Sequence, residues 1–148
     1  MHRTAAVTLA ALAAALLAAR AAQASPRPRL WQAICHVESR GNPTAYNPKE
    51  RAAGIAQIRP VCLKDVNRIA RLRGLKERFS SADRNDPDTA RRMWNLYLDH
   101  YGDAYARRTG RAPTAEVYAR IWNGGPQGWR KGSTRGYWQR VRTALQKR

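Results

Sequence analysis

Glu38 is the residue whose type and setting first point to chemistry. It is the only acid between Ser25 and Lys49, it follows the apolar Ile34 and Val37, and it precedes a polar stretch rich in Asn, Pro, Lys and Glu. A carboxyl group among apolar neighbours keeps its proton to higher pH, as a general acid for glycosidic cleavage must. The plain alternative is an exposed glutamate at a helix end. Glycoside hydrolysis normally needs a second carboxyl group across the scissile bond. Glu50 is the only acid in the loop from Gly41 to Gly54. It is therefore the candidate partner, and its alternative is a loop glutamate paired with Lys49 or Arg51.

Two cysteines, Cys35 and Cys62, stand near this acid in sequence. In an oxidising compartment they can close one disulfide, worth about 3 to 4 kcal/mol in the chain-entropy picture. They can equally stand as two buried thiols. His36 and His100 add no recognisable ligand spacing, so neither a metal nor another cofactor is expected. Tyr46 and Trp129 fall in loops where burial does not already explain an aromatic side chain, which makes them candidates for stacking on a ligand.

The elements that must position these residues are mostly helical. Ser25 to Arg29, with Pro26 and Pro28, reads as a short extended lead. From Leu30 the spacing of Trp31, Ile34 and Val37 predicts a helix ending near Arg40 and Gly41, with Glu38 in its last turn. Residues 42 to 58 read as a loop or small hairpin. Pro60 suits the first turn of a second helix with an amphipathic face of Val61, Asp65, Val66, Ile69 and Leu72, closed by Gly74. Asp86 and Pro87 open a third, carrying Ala90, Met93, Trp94, Tyr97, Leu98 and Tyr101, with Gly102 placed past its end. Thr114 caps a fourth that stops at Asn123-Gly124-Gly125-Pro126. A last helix begins near Ser133 or Thr134 and buries Tyr137, Val141 and Leu145. The expected class is mainly α (α+β), a single domain of helices around a cleft with a small β-hairpin.

The chain has 148 residues, with 28 Lys and Arg against 10 Asp and Glu, a formal net charge of +18. That length supports one compact domain, and 43% hydrophobic content excludes a wholly disordered polybasic tail. The charge invites a polyanionic partner without choosing one. Met1 to Ala24 has the charged start, apolar middle and Ala22-Gln23-Ala24 site of a secretory signal peptide, with the catalytic domain expected over residues 30–148. Its apolar run is shorter than the roughly 20 residues a spanning helix needs, so no stable membrane span is expected. Removing residues 1–24 takes away Arg3 and Arg20 and leaves +16. The reading is a secreted or periplasmic monomer that meets anionic wall polymers rather than a specific nucleic acid.

Three strings sharpen this. Ile34-Cys35-His36-Val37-Glu38-Ser39-Arg40-Gly41-Asn42-Pro43, then Gly54-Ile55-Ala56-Gln57-Ile58-Arg59-Pro60, then Tyr118-Ala119-Arg120-Ile121-Trp122-Asn123-Gly124-Gly125-Pro126 resemble, in that order, motifs of the lysozyme-like superfamily. The first two look like the Glu-Ser and Gly-Leu-Met-Gln motifs of soluble lytic transglycosylases. The third looks like their Tyr-Asn-Ala-Gly motif, and Ala119 to Gly128, followed by Thr134, Gly136-Tyr137-Trp138 and Val141, is similar to the end of the invertebrate-type lysozymes, although that branch is usually dense in cysteine.

The resemblance implies a lysozyme-like fold acting on peptidoglycan glycan strands at the β-1,4 link between N-acetylmuramic acid and N-acetylglucosamine. Glu38 would be the catalytic acid and Ser39 would orient its carboxyl or the substrate. Gln57 would contact an acetamido group, and Asn123 would line the cleft from the opposite helix. Trp122 departs from both branches and is either a stacking ring or a core residue. If Glu50 is remote, Glu38 would act first as acid and then as base, closing an anhydro sugar. Two other classes stay open: a catalytically silent wall-binding or secretion-assembly protein that keeps the fold, and a secreted cationic protein binding nucleic acid or membrane, which needs only the charge and the Trp content.

Overall fold

The computed structural model describes residues 27–147, so the expected leader lies outside the described residues. The extended lead ends sooner than its two prolines suggest, because α1 runs Arg27–Ser39. Proline is tolerated in a first helical turn, where its missing N–H had no intrahelical partner. Arg27 also anchors the turn: it pairs with Asp99, donates to Tyr118 Oη at 2.9 Å and lies over the Tyr118 ring. Leu30, Trp31 and Ile34 turn inward. Arg40 and Gly41, at φ 55° and 80°, close the helix.

The hairpin is minimal. β1 (Tyr46–Asn47) pairs antiparallel with β2 (Ala52–Ala53), Tyr46 opposite Ala53 and Asn47 opposite Ala52. Two residues per strand cannot hold themselves together in water. Arg84, only 8% exposed on the 3₁₀ turn Ala82–Asn85, supplies the missing support. Its Nη1 donates to Arg51 O and Ile58 O, both at 2.9 Å, and its Nε to Ser81 O at 3.0 Å. Gly54 permits that approach, since a Cβ there would fall 1.7 Å from Arg84 O.

α2 spans Pro60–Leu72, with proline at its start. Val66, Ile69 and Ala70 enter the core, whereas Val61 and Leu72 are 69% and 65% exposed, so the apolar face is narrower than the spacing predicts. α3 spans Pro87–Thr109, and Asp86 caps it by accepting from Thr89 N at 2.7 Å. Gly102 lies inside this helix rather than past its end. A Cβ there would come 2.8 Å from Tyr118 Cε1, so the glycine marks a close helix approach, and the left-handed Gly110 ends the helix instead.

α4 (Ala115–Gly124) starts from Thr114, which accepts from Val117 N. Two 3₁₀ turns lead to α5 (Arg135–Gln146), which buries Tyr137 and Val141 and leaves Leu145 half-buried. The core joins Leu30 and Ile34 of α1 with Trp94, Leu98, Ile121 and Val141 from the other helices. The fold is mainly helical with one small hairpin. Among the described residues no helix is long and apolar enough to cross a membrane.

Candidate active site

Glu38 ends α1 at the wall of a cleft of about 590 Å³, to which the hairpin, α2 and the end of α4 also contribute. Tyr137 Oη, carried by α5, donates to Glu38 Oε1 at 2.7 Å. Burial drives the Glu38 carboxyl up to about 7. The Tyr137 hydrogen bond and the charges of Arg59 and Arg140 oppose that rise, and Glu50 adds to it slightly. Desolvation wins because it penalises only the charged form. Burial and the neighbouring Glu38 charge hold the Tyr137 phenol well above its ordinary range, so it remains a donor.

Ser39, expected to orient that carboxyl or the substrate, makes its hydrogen bonds to backbone carbonyls. Its hydroxyl donates to Ile55 O at 2.8 Å, with Cys35 O at 3.2 Å, and so fastens the end of α1 to the turn after the hairpin. Gln57 lines the cleft with φ 50°, a left-handed conformation unusual outside glycine. Its Nε2 donates to Ala45 O at 3.1 Å and Gly54 O at 3.0 Å. Asn123 lines the cleft from α4. Glu50 lines it from the hairpin, exposed and without an ion pair to Lys49 or Arg51 among the described residues. The cleft thus gathers Glu38, Glu50, Gln57 and Asn123, which lie far apart in sequence.

The three aromatic residues considered for stacking occupy three different places. Trp122 reaches the cleft only at its edge, being 8% exposed and packed edge to face on Tyr97 at 5.7 Å between centroids. Tyr46 is 59% exposed but does not line the cleft; its neighbour Asn47 does, because successive strand side chains point to opposite faces. Trp129 lines a separate groove of about 430 Å³, its ring 5.0 Å from that of Tyr105.

Cys35 and Cys62 are free thiols rather than a disulfide. Cys35 belongs to the core side of α1 while Cys62 faces the cleft, and burial pushes both thiols up to about 12. Such groups are inert as nucleophiles at neutral pH. Among the described residues no cluster of His, Cys, Asp and Glu is arranged to hold a metal.

One part of the cleft lining is basic. Lys64, Arg68 and Arg71 of α2 line it, with Arg59 just before the helix. Asp65 accepts from Arg68 Nε at 2.7 Å and from Tyr101 Oη at 2.5 Å. This wall, Tyr137 and Arg84 were not assigned site roles by the sequence reading. Tyr137 read there as a buried residue of the last helix, and only its place in the Gly136-Tyr137-Trp138 string hinted at more.

Comparison with known proteins gives a consistent family. The family described as Transglycosylase SLT domain matches residues 15–131. Lysozyme 1 of Crassostrea virginica is 51% identical over 41 residues, 28% of this chain and 22% of that protein. The lysozyme of Meretrix lusoria is 45% identical over 47 residues, 32% of this chain and 38% of that protein. The chain therefore matches well under half the length of these two relatives. Among solved structures, a chain in the crystal structure of Aeromonas hydrophila PliI in complex with Meretrix lusoria lysozyme superimposes with a TM-score of 0.62 at 26% identity, covering 78% of this chain and 87% of that one. The Tapes japonica lysozyme structure gives a TM-score of 0.61 at 22% identity over 76% of this chain and 85% of its own, a likeness of fold.

Proposed function

The chain belongs to the transglycosylase SLT domain family, and from that premise we propose that it cleaves peptidoglycan glycan strands at the β-1,4 bond between N-acetylmuramic acid and N-acetylglucosamine, with Glu38 as general acid and then base. The observation that carries this is the Glu38 carboxyl on the cleft wall, raised to about 7 by burial and held through Oε1 by Tyr137. With Oε1 engaged, Oε2 is the oxygen that carries the proton toward a bound strand. A carboxyl poised near 7 is protonated often enough to donate and ionised easily enough to accept the proton back.

Glu38 protonates the glycosidic oxygen, the C1–O bond breaks with its electron pair leaving on that oxygen, and positive charge develops at C1. In the hydrolytic route a water then adds to C1 and gives its proton to Glu38, producing a reducing end. In the alternative route the sugar's own C6 hydroxyl adds, again losing its proton to Glu38, and an anhydro sugar results. Glu50 in the same cleft supports hydrolysis, because a second carboxyl group is what hydrolysing glycosidases place across the scissile bond. Gln57 Oε1 remains to accept from an acetamido N–H, since its nitrogen is engaged by Ala45 and Gly54. Asn123 meets the strand from the other side.

The proposed setting is outside the cytoplasm, with residues 1–24 as leader and residues 30–148 as the acting domain. The basic surface then keeps a monomeric enzyme near anionic wall polymers through a salt-sensitive attraction.

The test is digestion of purified peptidoglycan by the protein and its Glu38→Gln variant, with products identified by mass spectrometry. Reducing-end fragments support the hydrolytic route and anhydro fragments the other. The variant should lose about 10³-fold in rate, the scale of removing a general acid. Equal release by both proteins contradicts the assignment of Glu38.

A further inference from the structure

The two ends of the cleft differ in charge, and that difference bears on what kind of strand it takes. On α2, Val61, Lys64, Asp65, Arg68 and Arg71 all face the cleft. At 100° per residue these positions fall within about a third of the helix circumference, so this is one continuous face. Its single acid is committed. Asp65 holds Arg68 Nε at 2.7 Å and Tyr101 Oη at 2.5 Å, while Arg68 Nη2 donates to Tyr101 Oη at 3.1 Å.

Lys64 and Arg71 have no ion pair among the described residues. They are seven residues apart on α2, about 10.5 Å along its axis. That spacing exceeds the screening length of roughly 8 Å at physiological salt, so each cation meets its own anionic group rather than sharing one. The lining at Trp122, Asn123, Gly125 and Pro126 carries no charge, and the cleft's other acids, Glu38 and Glu50, form no ion pair with either cation among the described residues. A neutral sugar chain would gain more from open aromatic faces. Here the cleft's rings, Tyr97 and Trp122, are 6% and 8% exposed and packed edge to face on each other.

We propose that the α2 wall is an anion-reading subsite, in which Lys64 and Arg71 bind carboxylates borne as substituents along the glycan strand, with Arg68 fixed between them by Asp65 and Tyr101. This deepens the glycan-cleaving reading and rests on it. The preferred substrate is then a strand whose sugars carry carboxylates, over a neutral chain of β-1,4-linked N-acetylglucosamine. Lys64 and Arg71 set that preference through binding and take no part in the proton transfers at Glu38.

The test compares the protein with a Lys64→Gln/Arg71→Gln double variant on three substrates: wall glycan with free carboxylates, the same glycan with its carboxyls converted to methyl amides, and neutral N-acetylglucosamine oligomers. Loss of charge-assisted contacts should raise KM for the carboxylate-bearing glycan about tenfold or more, with kcat little changed. KM for the amidated and neutral substrates should move far less, and added salt should weaken the protein more than the double variant. Both positions are exposed, so thermal melting should coincide. An equal rise in KM on all three substrates, or none, overturns the proposal.

Direct binding to uncleaved carboxylate-bearing strands in the Glu38→Gln background separates this proposal from the function it rests on. If the protein cleaves no glycan yet Glu38→Gln binds those strands in a manner dependent on Lys64 and Arg71, the function fails and the subsite stands. If such binding is absent, or only a phosphate polymer binds through these two residues, the subsite fails.

Discussion

The cleft has two walls built on different physical terms. The wall bearing Glu38 is helical: α1 and α5 bring Leu30, Ile34 and Val141 to full burial, and the carboxyl inherits that dryness. The wall bearing Glu50 is a hairpin of two residues per strand, fastened by hydrogen bonds from Arg84, Ser39 and Gln57 to backbone carbonyls. One carboxylate is therefore tuned and the other is left exposed. Tuning has a cost in stability. Between its ordinary value of 4.5 and about 7, the folded Glu38 holds a proton that the unfolded chain has released. Stability from this group is full below 4.5 and declines as pH rises through 7, by about 3 kcal/mol in all. The buried charge at the hairpin wall, the Arg84 guanidinium, is instead met by the carbonyls of Arg51, Ile58 and Ser81.

The contrast can be broken from either side. The larger effect is expected at Arg84, where methionine would keep the bulk and lose the donors to Arg51 O, Ile58 O and Ser81 O. Leaving these partly buried carbonyls without their donor should cost about 3 kcal/mol. Amide exchange should accelerate first in residues 45–58, while α1 and α5 keep their protection until global unfolding. Uniform loss of protection across both walls would mean that the hairpin is not a separately fastened unit.

A smaller effect is expected at Tyr137. Tyr137→Phe removes the hydrogen bond that favours the ionised Glu38. The alkaline limb of the kcat/KM profile should move to higher pH, and the rate at its plateau should fall about tenfold through loosened positioning. A purely structural lesion would lower the rate without moving the limb. Exchange in the hairpin should be unchanged, which makes this variant the counterpart of Arg84→Met.

Much of the frame was legible because the signals were local. Asp86 with Pro87 and Thr114 mark helix starts by their own chemistry. Glu38 stood out because it is an isolated acid beside apolar residues. What could not be read depends on partners distant in the chain. Tyr137 lies 99 residues from Glu38, and Arg84 lies 26 from Ile58 and 33 from Arg51. Gly102 looked like a helix stop until Tyr118 packed against it. The bond from Ser39 to Ile55 O, 16 residues on, is likewise absent from any local signal. Tyr46 lies off the cleft lining and Trp129 lines a separate groove for the same reason: a loop position says that a ring is available, and only the packing of neighbouring elements says which groove it faces.

The central claim is that Glu38 is an acid made by burial, and its own titration tests that most directly. Carbon-13 NMR of the side-chain carboxyl, with Glu38→Gln to assign the signal, should give a midpoint near 7 that coincides with the alkaline limb of kcat/KM on peptidoglycan. A midpoint near the 4.5 of an ordinary glutamate, or an alkaline limb that stays in place in Glu38→Gln, would contradict the account.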